Sequence, residues 1–189
     1  RRSCCPDPKR GYPILKLGKP MRKLLPSRRT FLFTVAVSLL FSGVTWSAPP
    51  DGYRFLSYSD ALSQAQQEGK PVFLYFGRYG CSVCRRMHAE VFSDEQLRRR
   101  YNSKLVLAYV DTESGNRISL PNGERITEMQ LATQSRILGT PTFVYFSADQ
   151  TPLIKTSGFK TVETMNQLEE FVSGGHYRST TFEKFIQTQ

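Results

Sequence analysis

The sequence predicts an α/β domain, a central mixed sheet flanked by helices, and three observations carry that expectation. First, two apolar runs rich in aromatic and β-branched residues, Pro71-Val72-Phe73-Leu74-Tyr75-Phe76 and Leu105-Val106-Leu107-Ala108-Tyr109-Val110, close on Gly77 and Asp111 and read as interior strands. Second, segments with apolar residues at helical spacing lie before, between and after these runs, the alternation that surrounds a sheet with parallel neighbours. Third, Gly139-Thr140-Pro141-Thr142-Phe143-Val144-Tyr145-Phe146 and Pro152-Leu153-Ile154-Lys155 flank a turn at Ala148-Asp149-Gln150, which adds an antiparallel pair and makes the sheet mixed.

Taken in order, Pro49 to Arg54 reads as a tail, and Ser59 caps a helix through about Glu68 with Ala61, Leu62 and Ala65 on one face and Gly69 as its stop. After the first strand a helix begins at Cys81-Ser82-Val83-Cys84 and runs to about Phe92, because Met87, Val91 and Phe92 lie at helical spacing from Cys84. Ser93-Asp94-Glu95-Gln96 has the pattern of a capping box, so a second helix restarts at once and ends near Asn102, its Arg98-Arg99-Arg100 run forming a solvated face. The polar stretch from Thr112 to Ile126, with a turn at Pro121-Asn122-Gly123, reads as a small hairpin excursion on the surface. Thr127-Glu128-Met129-Gln130 is another capping box and starts a helix to about Arg136 with Met129, Ala132 and Ile137 as its apolar side. Thr161 to Val172 is an amphipathic helix with Val162, Met165, Leu168 and Phe171 or Val172 inward, closed by Gly174-Gly175. His176 to Gln189 carries Phe182, Phe185 and Ile186 at helical spacing and is expected to dock as a short extra helix.

Chemistry concentrates where the first strand gives way to the cysteine helix. Two thiols three residues apart at a helix N-terminus meet unpaired N–H groups and the positive end of the helix dipole, which favour a thiolate, the nucleophile of thiol–disulfide exchange. On this reading Cys81 is the exposed, reactive thiol and Cys84 the one behind it. A zinc site would need a second pair of ligands. The other cysteines, Cys4 and Cys5, fall in the leader described below, and His88 and His176 are the only histidines, so the pair is read as a redox dithiol that holds no metal.

The formal charge of +10 suggests nucleic acid until it is located. Residues 1–48 hold ten of the 26 Lys and Arg with one acid, Asp7, a net of +9, and the remaining 16 bases and 15 acids leave +1 for the body, which excludes nucleic acid as a partner. Residues 1–20 precede a start at Met21 and receive no fold. Residues 21–48 have the pattern of an export signal: Arg22, Lys23, Arg28 and Arg29, an apolar core from Phe31 to Val44, then small residues at Ser47 and Ala48, near which cleavage is expected. Ser27-Arg28-Arg29-Thr30-Phe31-Leu32 is similar to a twin-arginine signal, while the core also suits the general secretory route. At 14 residues that core is shorter than the roughly 20 a spanning helix needs, so no stable membrane anchor is expected. Residues 49–189 then form the domain, with Cys81 and Cys84 as its only cysteines.

The order of elements, the Cys-x-x-Cys helix and the distant Thr140-Pro141 together resemble the thioredoxin superfamily. That resemblance implies a thioredoxin fold, a cis Thr140–Pro141 bond facing the cysteines, and a Thr140 backbone that pairs with an extended substrate segment like an added strand. Cys-x-x-Cys-Arg-Arg-Met-His-Ala-Glu-Val-Phe, the long loop after Asp111, Gly139-Thr140-Pro141-Thr142-Phe143 and the tail after Gly175 further resemble the periplasmic thioredoxin-like proteins of the sulfur-oxidation group over most of residues 53–187. The chain departs from the superfamily at two places. Tyr75 stands where thioredoxins carry a buried acid, and Gly80 replaces the tryptophan before the first cysteine, the only tryptophan here being Trp46 in the leader.

The resulting expectation is a periplasmic thiol–disulfide oxidoreductase in which Cys81 attacks a partner-protein disulfide and Cys84 resolves the mixed disulfide, with no cofactor beyond the dithiol and electrons drawn from a membrane thiol carrier. Arg85, four residues past Cys81, and His88, four past Cys84, are the candidates for tuning the thiols. His176 is assigned nothing. Two other classes stay open: a copper-binding chaperone using Cys81, Cys84 and Met87 or His88, since soft sulfur ligands suit Cu(I), and a redox-silent binding module that keeps only the fold.

Overall fold

A computed structural model describes residues 49–188. The segment read as an export signal, its expected cleavage region, and Cys4 and Cys5 lie outside those residues.

The elements follow one another as β1 (Phe55–Leu56), α1 (Tyr58–Glu68), β2 (Val72–Gly77), α2 (Ser82–Glu90), α3 (Glu95–Lys104), β3 (Val106–Asp111), β4 (Arg117–Ser119), β5 (Arg125–Thr127), α4 (Glu128–Gln134), β6 (Thr142–Phe146), β7 (Pro152–Ser157), α5 (Val162–Ser173), a 3₁₀ turn (His176–Arg178) and α6 (Phe182–Gln187). Five strands form a mixed sheet in the order β1-β3-β2-β6-β7. β1, β3 and β2 run parallel, while β6 lies antiparallel to β2 and β7 antiparallel to β6.

β2 is the middle strand, and every one of its residues is buried. Its alternation divides the core: Phe73 and Tyr75 join α2, α3 and α5 on one face, while Val72, Leu74 and Phe76 meet Ala61, Leu62 and Ala65 of α1 and Leu131 and Ala132 of α4 on the other. A strand covered on both faces explains why its sequence is a continuous apolar run with no polar alternation. Each large side chain withdrawn from water here contributes about 1.5–3 kcal/mol before chain entropy is counted. The polar stretch after β3 forms the expected hairpin, β4 and β5, whose Ile118 and Ile126 pair across the strands and are buried against the α1 side of the core.

Several local expectations are corrected by tertiary partners. α1 is capped by Ser57, whose side chain accepts from the Asp60 N–H. Ser59 instead donates to the Ser119 carbonyl at 2.7 Å and accepts the Ser119 N–H at 3.2 Å, tying the hairpin to the helix. α3 is capped by Asp94, which accepts from the Leu97 N–H at 2.7 Å, because the Ser93 hydroxyl is spent on the Ala89 carbonyl at the end of α2. The Thr127–Gln130 capping box forms as read, but Met129 is 49% exposed. α4 is only seven residues long and presents Leu131 and Ala132 inward. At the C-terminus Phe182 and Phe185 pack on Phe171, leaving Ile186 outside.

The arginine run is not wholly solvated. Arg99 pairs with Glu95 on the surface, but Arg100 turns to α5, where its Nε donates to Glu169 at 2.6 Å and its Nη2 to Glu170 at 2.9 Å. Glu169 is fully buried and is also held by Lys104 at 3.4 Å and by the Ser173 hydroxyl. Nearby, Tyr101 donates to the Met165 carbonyl and lies 2.8 Å from the Tyr145 hydroxyl, locking α3 and α5 to β6. Removing one partner of a buried ion pair strands the other charge, at a cost of roughly 3–5 kcal/mol when both are fully enclosed. Arg100→Met is expected to destabilise the domain by about 2 kcal/mol, since Arg100 is partly exposed and Lys104 remains, and the double variant Arg100→Met/Glu169→Leu is expected to recover most of that loss. Urea unfolding midpoints of the two variants test this; equal losses in both would refute the stranded-charge account.

Candidate active site

The site is assembled where β2 ends. Gly77, the last residue of β2, carries no Cβ because the Tyr109 hydroxyl of β3 lies 2.7 Å from where one would stand. The chain then turns through Gly80, whose φ of 72° lies in the left-handed region open to glycine, and delivers Cys81 to the N-cap of α2. In that position the Cys81 Sγ accepts the Cys84 N–H at 3.0 Å, and the Cys81 carbonyl receives the first helical bond from the Arg85 N–H. A sulfur thereby serves the open end of the helix as a serine or aspartate would.

Cys81 and Cys84 are joined as a disulfide with Cα atoms 5.2 Å apart. Exposure does not separate the two sulfurs. Cys81 is 6% and Cys84 5% exposed, against the expectation that Cys81 stands out into solvent. What covers Cys81 is the loop before β6, whose Thr140 carbonyl oxygen lies 3.3 Å from its Sγ. The asymmetry between the cysteines is therefore one of hydrogen bonding: Cys81 receives a helix N–H and borders the loop, while Cys84 faces inward with Met87 on the buried face of α2.

The Thr140–Pro141 peptide is cis. Pro141 is buried and its carbonyl accepts the Gly158 N–H at 2.8 Å. The Thr142 hydroxyl donates to the Gly139 carbonyl at 2.6 Å and lies 2.7 Å from the Ser157 hydroxyl, so β7 pins the loop from behind. The Thr140 hydroxyl is buried and has no hydrogen-bond partner. Tyr79 and Val83, close to the cysteines in the chain, and Leu138, two residues before Thr140, are exposed, Leu138 almost completely at 99%.

The two tuning candidates part company. Arg85 is exposed on the outer side of α2, whereas His88 is half-buried and its Nε2 lies 3.1 Å from the hydroxyl of Tyr75. Burial holds the His88 pKa below its usual value, with Asp51 acting in the opposite sense. Burial, with a smaller contribution from Tyr109, pushes the Tyr75 phenol far above its usual range, so it stays protonated. Met87 is fully enclosed and its sulfur accepts the Lys160 N–H at 3.2 Å. His176 packs on Phe185 in the C-terminal segment. The sequence reading singled out Tyr75 for the acid it lacks but missed it as the partner of His88, and it missed the Thr142–Ser157 clasp. Neither contact has a local signal, because the partners are 13 and 15 residues apart on different elements.

A cavity of about 830 Å³ opens at the far end of the sheet, lined by Gly69, Pro71, Ser147 and Arg178. The disulfide lies at the other end of β2, beside the loop that bears Thr140.

Five mixed strands in this order, with a disulfide at a helix N-cap under a cis X–Pro loop, define a thioredoxin-fold domain built around a dithiol. The chain matches the thioredoxin-like domain family over residues 58–173 and belongs to that family. It is 27% identical over 94 residues to the disulfide bond reductase DsbH of Chlamydia pneumoniae, a match that covers 49% of this chain and spans about half, 55%, of that protein. A thioredoxin from Thermus thermophilus superposes with a TM-score of 0.53 at 27% identity, covering 64% of this chain and 87% of that one. A thioredoxin-fold protein from Helicobacter pylori reaches a TM-score of 0.56 at 20% identity over 64% of this chain and 84% of its own, a likeness of fold.

Proposed function

We propose that this protein is an exported thiol–disulfide oxidoreductase that reduces disulfides of partner proteins in the periplasm. The observation that carries the reading is the Cys81 sulfur at the N-cap of α2, accepting the Cys84 N–H, with Cys84 tucked behind it. The family and the likeness to a disulfide bond reductase support it.

In the reduced protein the N-cap position stabilises negative charge on Cys81, which receives the Cys84 N–H. The Cys81 thiolate attacks one sulfur of a substrate disulfide, forming a Cys81–substrate bond and expelling the other sulfur as a thiolate. Cys84 then attacks Cys81 Sγ, the substrate sulfur leaves with the electron pair and takes a proton, and the Cys81–Cys84 disulfide remains. The substrate gains two electrons and the dithiol loses two, so the pair itself is the redox centre and no other cofactor enters. The exposed Tyr79, Val83 and Leu138 offer apolar contact to a segment laid along the Thr140 backbone.

The enzyme is returned to the dithiol by a membrane thiol carrier, and its subgroup is that of the periplasmic proteins of sulfur oxidation. A copper chaperone is less well supported, because the Met87 sulfur is enclosed on the Lys160 N–H and His88 Nε2 is engaged by Tyr75. Among the described residues no helix is long and apolar enough to cross a membrane.

Trapping tests the roles: Cys84→Ser is expected to accumulate mixed disulfides through Cys81 and Cys81→Ser to accumulate none, so equal trapping by both would sink the assignment. The direction is tested by equilibration with glutathione buffers. Ser82 and Val83 add at most one hydroxyl to the stabilisation of the Cys81 thiolate, so a potential of about −270 to −200 mV is expected, and a value above about −150 mV would make the protein a disulfide donor. Export is tested by mass spectrometry of protein from its native cells, expected to find an N-terminus near Pro49; an intact Met21 terminus held in the membrane would contradict it.

A further inference from the structure

Resolution of the mixed disulfide needs Cys84 as a thiolate, and Cys84 is nearly sealed from solvent at 5% exposure. A thiol in such surroundings keeps its proton unless a base takes it. We infer that His88, held in place by Tyr75, is that base, an inference that rests on the thiol–disulfide reading above.

The placement follows from α2. His88 is one helical turn past Cys84, a spacing that sets the two Cβ atoms about 5–6 Å apart on the same side of α2, and its ring is held between Tyr75 and Phe92. Other ionisable groups of α2 are turned away: Arg85 and Arg86 are exposed, and Glu90 is engaged by Arg86 at 3.0 Å. From the elements packed against this helix, β2 presents Tyr75, β3 presents Tyr109 with its ring 5.2 Å from that of Tyr75, and the segment before β1 presents Asp51. After β7, Lys160 meets Met87 through its backbone N–H and sends its ammonium to the Ser157 carbonyl.

Each neighbour suits the role. The Tyr75 phenol stays protonated, so it cannot be the base, but its hydroxyl can accept from Nε2–H and leave Nδ1 with a free lone pair. Burial keeps the imidazole neutral at pH 7 and so able to take a proton, and Asp51 favours the imidazolium once formed. In the step itself the Cys84 S–H proton passes to His88 Nδ1, Cys84 Sγ bonds to Cys81 Sγ, and the bond from Cys81 to the substrate sulfur breaks with its electron pair on the departing thiolate. The imidazolium then releases its proton to that thiolate or to solvent.

Stopped-flow reaction of the reduced protein with 5,5′-dithiobis(2-nitrobenzoate) separates the steps, because one coloured thiolate is released when Cys81 attacks and a second when Cys84 resolves the adduct. His88→Gln, which keeps a partner for Tyr75 but cannot hold the proton, is expected to slow the second release roughly a hundredfold at pH 7, the low end of what a positioned base contributes. The deficit should shrink as the pH is raised, because hydroxide can then take the Cys84 proton in place of the imidazole. In the unmodified protein the second release should fall as the pH drops below 6.5, the ordinary value that His88 undershoots. Added imidazole should restore the rate in His88→Ala, and Tyr75→Phe, which frees the ring but keeps the base, should slow it less. An unchanged second release in His88→Gln, or an equal loss in both releases with the pH profile unaltered, overturns the inference. Should Cys81→Ser keep the first release or Cys84→Ser keep the second, the cysteine roles themselves fall, and the role of His88 with them.

Discussion

The hydrogen bond from the Cys84 N–H to the Cys81 sulfur is the contact on which the rest of the site depends. It exists because a sulfur occupies an N-cap, a position that calls for a side-chain acceptor, and it joins the first turn of a helix to the atom at which exchange would occur. Holding it there requires a strand that ends at a fixed point. β2 supplies that point through burial on both faces, and Gly77 and Gly80 supply the close approach and the left-handed turn between strand and helix.

The second half of the domain closes the site. The Thr140 carbonyl reaches the Cys81 sulfur from 59 residues away, and the loop that bears it is held by hydrogen bonds from β7, through Ser157 and Gly158. The antiparallel register of β6 on β2, which sets Thr142 opposite Phe76, brings that loop to the end of the strand where α2 begins. The sheet order thus determines what lies over the disulfide, and the ion cluster around Glu169 and the Tyr101–Tyr145 pair fix the outer helices that support the sheet.

Beneath α2 the core is aromatic to an unusual degree, with Tyr75 in ring contact with Phe55, His88, Phe92, Tyr109 and Phe143. A tyrosine can fill this space and still offer one polar atom, so the layer packs as a core while leaving a hydroxyl to orient His88. A carboxylate at the same position would need a charged or hydrogen-bonded partner of its own to be buried there. Stability and the proposed proton transfer therefore draw on the same ring.

By itself the sequence determined what local chemistry encodes. The apolar runs announced the buried strands, the spacing of Cys84, Met87 and Val91 announced the face of α2, and Thr127 with Gln130 announced a capping box that forms within four residues. The cysteine pair at a strand-to-helix junction was legible for the same reason. Only the tertiary structure decided which serine caps α1, because Ser59 is claimed by Ser119 sixty residues on, and that Met129 faces solvent on a short helix. It also decided that both cysteines are recessed, that Thr140 borders Cys81, and that Tyr75 meets His88. Periodicity and capping act between residues a few positions apart, whereas exposure and long-range hydrogen bonds are set by which distant segments the sheet brings together, and one chain read alone carries no signal for those.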